Sequence, residues 1–400
     1  MSLSVAVGDR ETVIMNMRRL NHPSSSLLCI ALLAFGSAAC TGSNAPAPAK
    51  RIGNAFVATP VATFDEPWAM TFLPDGRLLV TERPGALKLV DVASGKAGDI
   101  SGVPRVAHGG QGGFGDVVLH PQYASNSLVY VSYSEPGDGD VSGAAVARAK
   151  LVLSSGDGGG KLEDLKVIWR QEPKVSGMGH YGQRIAFGAD GKLWITSSER
   201  QKFTPAQDMK QNLGKIVRLN DDGSVPADNP FASQGGVAAQ VWSLGHRNLL
   251  GIAFAPDGKL YAHEMGPRGG DELNVIEKGA NYGYPTVSNG DHYSGADIPD
   301  HHTRPEFKAP LITWNPVISP AGFIIYTGKM FPDWNGNGFI GGLSSSALVR
   351  VEFANGGARE VQRFDMGKRI REVEQGPDGA IWLLEDERNG SGGRLLKLTP

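Results

Sequence analysis

"FAPDGKLYAHE", residues 254–264, joins a turn dipeptide to an apolar run, and three close copies stand elsewhere in the chain: "FLPDGRLLVTE" (72–82), "FGADGKLWITS" (187–197) and "QGPDGAIWLLE" (375–385). In each copy Asp-Gly supplies a tight turn, because glycine tolerates the positive φ that hairpin turns demand. The next five or so residues alternate apolar and β-favouring side chains, as a strand does. Each copy therefore predicts a hairpin: an inner strand ending in Phe or its equivalent, the turn, and a second strand. Looser copies lie between them, "LHPQYASNSLVYVSYS" (119–134) and "MFPDWNGNGFIGGLSSSALVRVEF" (330–353). Counting these, turns fall near 75, 126, 190, 257, 335 and 378, roughly 60 residues apart, a spacing that suits radial β-repeats with long loops.

No stretch carries the sustained helical periodicity that a βαβ fold needs between strands. The 54 glycines and 25 prolines among 400 residues agree with many tight turns. The expected fold is all-β: a six-bladed β-propeller of four-stranded antiparallel sheets over residues 53–400. Spacing alone also admits seven or eight blades, and a pair of β-sandwiches is the alternative architecture. A formal net charge of -2 offers no broad basic field for a phosphate backbone, so no nucleic-acid partner is expected.

The first forty residues read as an export signal. Arg18 and Arg19 precede the apolar run "LLCIALLAF" (27–35), too short to span a bilayer, and the small residues "GSAAC" lead to Cys40. The mature protein is expected to be periplasmic, with Cys40 a candidate for lipid anchoring to the outer membrane, although Ser37 stands where a lipoprotein box has Leu. Residues 41–52 begin "TGSNAPAPAK" and read as a tether. The only other cysteine, Cys29, lies in the apolar run, so the folded part has neither disulfide nor cysteine metal site.

If the repeated hairpins are scaffold, chemistry belongs to the loops between them. "HGGQGGFGDVVLHP" (108–121) contains a formal Gly-x-Gly-x-x-Gly, but a strand pattern follows it where a dinucleotide site needs a helix. Its glycines instead suit a loop passing close to something bulky, with Gln111 presented from it. "SGMGHYGQRIAFG" (176–188) sets His180 among glycines before a strand, where a neutral imidazole can accept a proton and Glu199, one hairpin later, can orient it. Arg247 and Asn248 precede the next strand, and Arg247 offers a planar fork of donors. In "HEMGPRGGDELNVIEKGANYGYP" (263–285) Asp271, Glu272 and the carbonyls near Gly266 and Pro267 suit a hard cation such as calcium. Arg369 and Arg371, two apart in a strand, should face one spot, which calls for an anion or a set of acids between them.

Taken in order, "GQGGFGDVVLHP", "GHYGQRIAFGADGKLWIT", "GHRNLLGIAFAPDGKLYAHEMGPRGGDELN", "KGANYGYP" and "RIREVEQGPDG" resemble the soluble pyrroloquinoline quinone (PQQ)-dependent sugar dehydrogenases, most closely the bacterial periplasmic aldose sugar dehydrogenases, from about residue 64 to 398. The resemblance implies a six-bladed propeller with the quinone over its central channel. It implies oxidation of an aldose at the C1 hydroxyl to the lactone, with His180 as general base, Glu199 holding it, hydride passing to the quinone, and Arg247 polarising the reactive carbonyl. Further cofactor contacts implied are Gln111, Asn248, Tyr293, the turn Gly342, Leu343 and Ser344, and Arg369, Ile370 and Arg371. Calcium is implied at the Gly266 and Pro267 carbonyls and, at a second site, at Glu272 and Tyr282. Two departures stand out: Ser344 replaces a lysine common in relatives, and Gln183 replaces a glycine. The partners expected are an aldose and an unidentified electron acceptor, for a monomer or homodimer. The competing expectation is a non-catalytic calcium-stabilised propeller that binds carbohydrate or protein at the cell envelope.

Overall fold

The computed structural model describes residues 48–155, 158–386 and 392–400. The segment expected to be an export signal, Cys40 and most of the expected tether lie outside them. The end of the tether stretch, Lys50–Ile52, pairs antiparallel with Phe56–Ala58. No helix among the described residues is long and apolar enough to cross a membrane.

The fold is all-β. Each predicted turn joins the first two strands of an antiparallel meander: Pro67–Phe72 with Leu78–Glu82, Phe114–Leu119 with Leu128–Pro136, Gly182–Phe187 with Leu193–Ser197, Asn248–Phe254 with Leu260–Met265, Pro320–Ile325 with Gly338–Gly342, and Ile370–Gln375 with Ile381–Glu385. The first strands of successive meanders pack side by side, and that of the sixth returns to that of the first. The sixth sheet is completed from the other end of the chain, Arg394–Thr399 pairing with Phe56–Thr63. The expectation of uniform four-stranded sheets needs correcting in detail. The first two meanders fuse into one nine-stranded sheet through a short parallel pairing of Lys96–Ser101 with Gly160–Arg170, and Lys50–Ile52 gives the last sheet a fifth strand.

The Asp-Gly phrase does the same work in all four copies. In the copy at 254–264 the Gly258 amide donates to the Ala255 carbonyl at 2.8 Å, Gly258 holds φ +84°, and Asp257 Oδ1 accepts from the Lys259 amide at 3.1 Å. Asp75, Asp190 and Asp378 accept from the corresponding amides at 3.0 Å. These aspartates are turn residues.

A feature invisible in the alternation recurs in all six first strands: one extra residue interrupts the register. The extra residue is Trp68, Leu250 or Arg371 in three strands, and falls within Gly115–Asp116, Gln183–Arg184 or Ala321–Gly322 in the others. Such bulges bend a strand and re-aim its side chains. In three meanders the disturbed ladder is repaired by a hydroxyl on the second strand. Thr81 Oγ1 accepts from the Ala69 amide (3.0 Å) and donates to the Gly115 carbonyl of the next meander (2.7 Å). Ser132 likewise links the Asp116 amide (2.7 Å) to the Gln183 carbonyl (2.6 Å), and Thr196 links the Arg184 amide (2.9 Å) to the Leu249 carbonyl (3.5 Å). The tenth residue of the repeated phrase, Thr81 or Thr196, is thus the stitch between neighbouring meanders.

Candidate active site

The bulges aim inward at one end of the first strands. Trp68, Gln183, Leu250 and Arg371 all line one cavity there, together with Gln111 and Arg369. The glycine-rich loop before Phe114 runs along its edge. A side chain at Gly112 would come within 2.9 Å of the Tyr181 ring, so only glycine lets the loop pass and present Gln111. No helix follows this loop, and Phe114–Leu119 is a strand. Arg83 fastens the loop, donating to the Gly110 (2.7 Å) and Gly112 (3.0 Å) carbonyls while paired with Glu66 at 2.6 Å.

His180 is buried beside this cavity, and its amide donates to Gln111 Oε1 at 2.8 Å. Its Nδ1 meets Glu199 Oε1 at 2.5 Å, which leaves Nε2 as the nitrogen able to take a substrate proton. The other Glu199 oxygen accepts from the amides of Lys202 (2.5 Å) and Phe203 (2.7 Å), so the fully buried carboxylate is held from both sides. Burial pushes His180 below its ordinary value near 6.5; the Glu199 hydrogen bond pulls it back up and the Arg247 charge pushes it down, with a net lowering. Burial pushes the Glu199 carboxyl up, but His180, the Phe203 amide and Arg247 outweigh it and the net shift is down. The pair therefore consists of an ionised carboxylate and a neutral imidazole at neutral pH, the state a general base needs.

Arg200 ties the two halves together. Its guanidinium donates to the carbonyls of Gly179 (2.9 Å), Ser142 (2.5 Å) and Gly177, and stacks 3.8 Å over the Tyr181 ring. The loop carrying His180 is thereby pinned to the segment carrying Glu199.

Arg247 reaches the site across the next meander. Its amide donates to Glu264 Oε2 (2.5 Å), and its Nη1 donates to the Met265 (2.8 Å) and Gly266 (2.5 Å) carbonyls. Its buried Nε and the buried Oδ1 of Asn248 have no protein partner among the described residues, which makes them candidates for a ligand's polar atoms. Gly266 cannot carry a side chain, because a Cβ would lie 2.2 Å from the Gly269 carbonyl oxygen. Asp271, offered above with Glu272 as a cation ligand, is engaged otherwise: its carboxylate accepts from the amides of Gly266 (2.9 Å), Ile318 (2.8 Å) and Ser319 (2.7 Å).

Glu272 does have the surroundings of a cation ligand. Asn274 Nδ2 lies 3.4 Å from Glu272 and 3.5 Å from Glu264, while the buried Asn274 Oδ1 has no protein partner among the described residues. Burial, and next the neighbouring charge of Glu264, push the Glu272 carboxyl well above its ordinary value. Glu264 is engaged by His246 Nδ1 (2.9 Å) and the Arg247 amide, so the buried Glu272 carboxylate is the hard oxygen donor here that suits calcium. Among the described residues no group of three or more His, Cys, Asp or Glu is gathered for a metal, so amide and main-chain oxygens would have to complete the shell. For Tyr282 that donor is the carbonyl, which accepts from His301 Nε2 at 3.1 Å, because its hydroxyl is committed to the Val275 carbonyl at 2.5 Å.

Arg369 and Arg371 converge as expected, and an acid stands between them: Asp386 Oδ2 lies 3.3 Å from Arg369 Nη2 and also binds Arg371 Nη2. With Arg83 they bring three guanidiniums to the cavity wall, beside the Trp68 and Tyr181 rings. That lining fits a flat aromatic molecule bearing several carboxylates, the chemistry of PQQ.

The remaining expected contacts scatter. Leu343 lines the cavity, Gly342 ends the strand beside it, and Ser344 is exposed with its hydroxyl 3.3 Å from the Val317 carbonyl. The Ile370 side chain packs in the hydrophobic core with Phe364 and Val373, so it offers the cavity only main-chain atoms. Tyr293 is 74% exposed, its ring 5.8 Å from the Arg247 guanidinium at the rim. Gln183 holds φ +78°, which explains why glycine suits that position. Sequence reasoning missed Trp68, Arg83, Tyr181, Leu250, Met265 and Ser319 as lining residues. Trp68, Leu250 and Ser319 sit at the starts of first strands, a place in the repeat that could have flagged them.

Residues 64–397 match the family model described as Glucose / Sorbosone dehydrogenase. The chain is 40% identical over 344 residues to the aldose sugar dehydrogenase YliI of Escherichia coli, covering 84% of this chain and 90% of that protein. The crystal structure of the soluble aldose sugar dehydrogenase of E. coli in its apo form superposes with a TM-score of 0.79 at 38% identity, over 86% of this chain and 99% of that one. The PQQ-bound aldose sugar dehydrogenase of Streptomyces coelicolor superposes with a TM-score of 0.70 at 30% identity, over 89% and 99%. The buried His180–Glu199 pair and the arginine-walled cavity are therefore the candidate site of a chain that belongs to the glucose/sorbosone dehydrogenase family.

Proposed function

We propose that this chain is a PQQ- and calcium-dependent aldose dehydrogenase, built as a six-bladed propeller, that oxidises the C1 hydroxyl of an aldose to the lactone. The observation that carries the reading is the buried, carboxylate-held imidazole of His180 next to a cavity walled by Arg83, Arg369 and Arg371. When bound, PQQ supplies the two-electron hydride acceptor. His180 Nε2 takes the proton of the anomeric hydroxyl as the C1 hydrogen leaves, and Glu199 fixes the ring orientation and stabilises the imidazolium. Arg247 brings a fixed positive charge where negative charge develops. Arg369 and Arg371 would hold the cofactor's carboxylates, and Glu272 with main-chain oxygens such as that of Tyr282 would supply donors for calcium. The reading extends to an exported protein with residues 1–40 as its signal, Cys40 as a lipid-anchor candidate, and an electron acceptor of the cell envelope.

Reconstitution tests it. PQQ with calcium added to the metal-free protein should give dye reduction with aldoses and a calcium-dependent rise in melting temperature; no quinone binding and no dye reduction would sink the proposal in favour of a binding propeller.

The pH profile gives a finer test. With the folded pKa of His180 held below its ordinary value, the acid limb of kcat/KM should fall at lower pH than an unperturbed histidine would give, as the base becomes protonated. Glu199→Gln removes the group that pulls the His180 pKa up. It should therefore move the acid limb to still lower pH and reduce kcat by about 10- to 100-fold. A limb that does not move on this substitution would refute the pairing as the source of basicity.

A further inference from the structure

The segment that follows Glu199 is strained. Arg200, Gln201 and Phe203 hold φ of +60°, +59° and +64°, a region that non-glycine residues enter at a cost of roughly 1 kcal/mol or more each. Such a conformation persists only when its surroundings enforce it, and here they do so from three sides. The Lys202 and Phe203 amides bind Glu199 Oε2. From below, the buried Lys215 ammonium donates to the carbonyls of Pro205 (2.8 Å), Ala206 (3.0 Å) and Leu213 (2.8 Å). From the side, Gln207 is locked to Asn281 by two reciprocal hydrogen bonds between their side-chain amides (3.0 and 2.7 Å) and donates to the Tyr284 carbonyl (2.8 Å).

The outcome of this fastening is an apolar ring that is not buried. Phe203 is 46% exposed, although burying such a side chain is worth about 1.5–3 kcal/mol. Its ring stacks on Tyr284 (centroids 6.4 Å apart, planes at 26°) and meets His292 edge-on at 6.0 Å. Tyr284 in turn lies 5.8 Å from the Arg247 guanidinium. An aromatic wall thus runs from the rim to the reaction centre, and its outermost ring is joined through one backbone amide to the carboxylate that holds His180.

We infer that Phe203 is a substrate-positioning residue whose exposed face packs against the apolar C–H face of the aldose ring, holding C1 at His180. The inference rests on the proposed dehydrogenase activity. A pyranose fits because it combines a flat C–H face with hydroxyl edges, and the wall supplies an aromatic face beside an arginine and an imidazole. The strain keeps the ring at the mouth, where a relaxed loop would let it fold inward.

The test uses the PQQ- and calcium-loaded full-length protein with Phe203→Ala, Phe203→Leu and Phe203→Trp. The Ala variant should raise KM for aldoses about tenfold, with a smaller fall in kcat, and Trp should restore KM to within about twofold. A non-oxidisable 1-deoxy aldose, titrated calorimetrically into the loaded protein, should lose affinity by the same factor in Ala and intermediately in Leu. Unchanged aldose KM and 1-deoxy aldose affinity in an active Ala variant would overturn the assignment. So would a raised KM for the dye in place of the sugar, or an acid limb that shifts in all three variants, since that marks the ring as support for Glu199. Absence of turnover in the unsubstituted protein would sink the underlying dehydrogenase reading instead.

Discussion

His180→Ala is expected to lower kcat by about a thousandfold while leaving the PQQ affinity within about twofold. The magnitude follows from what the imidazole alone provides: a general base is worth about 10²–10⁴ in rate, and among the described residues no other titratable side chain is bonded to Glu199 to take over. Cofactor affinity is spared because the guanidinium wall belongs to other loops. His180 holds φ +48°, however, so alanine also strains the backbone. His180→Asn controls for this, since asparagine enters the left-handed region more readily and cannot act as a base. Both variants should show the same loss in single-turnover kinetics, with PQQ titrations like those of the unsubstituted protein. Retention of more than a tenth of the rate in the Asn variant would remove His180 from the role.

Arg371→Ala should weaken PQQ binding about a hundredfold, or about 2.7 kcal/mol. Arg371 is the extra residue of the sixth bulge, buried, and shares Asp386 Oδ2 with Arg369. Its loss takes one of two converging charges from the expected carboxylates of the cofactor. It also breaks a buried ion pair, so the melting temperature should fall. Arg371→Lys keeps the charge but loses the planar fork, and about a tenfold weakening is expected. Equilibrium titration of PQQ beside thermal unfolding separates the two effects: a lower melting temperature with unchanged quinone affinity would make Arg371 purely structural.

The repeat made the fold legible because alternation and Asp-Gly turns are local. All six predicted turns join first and second strands. The site was legible where a residue stood out chemically from its loop, as His180 does among glycines and Arg369 with Arg371 do as a like-charged pair. It was not legible where geometry departs from the two-residue period. Arg369 and Arg371 were expected to share a face by alternation, yet Arg371 sits in a bulge, and Trp68 and Leu250 reach the cavity by the same device. Nothing in "PWAMTF" or "NLLGIAF" announces an extra residue. Asp271 was misread for a different reason: an acidic residue beside another suggests a cation, but three backbone amides claim its carboxylate first. Asp386 escaped notice because an acid long after the arginines in sequence pairs with them only across a hairpin.

The pairing of Phe56–Thr63 with Arg394–Thr399 sets an order on biosynthesis. The strand Phe56–Thr63 finds its partner only when Arg394–Thr399 has been made, so until then the sixth sheet lacks a member and an apolar edge stays uncovered. The delay keeps the sheet from completing before synthesis ends, and folding finishes only once both strands are present together. A circular permutant that opens between the first and second meanders and joins the old termini would make these two strands neighbours in sequence and remove the delay.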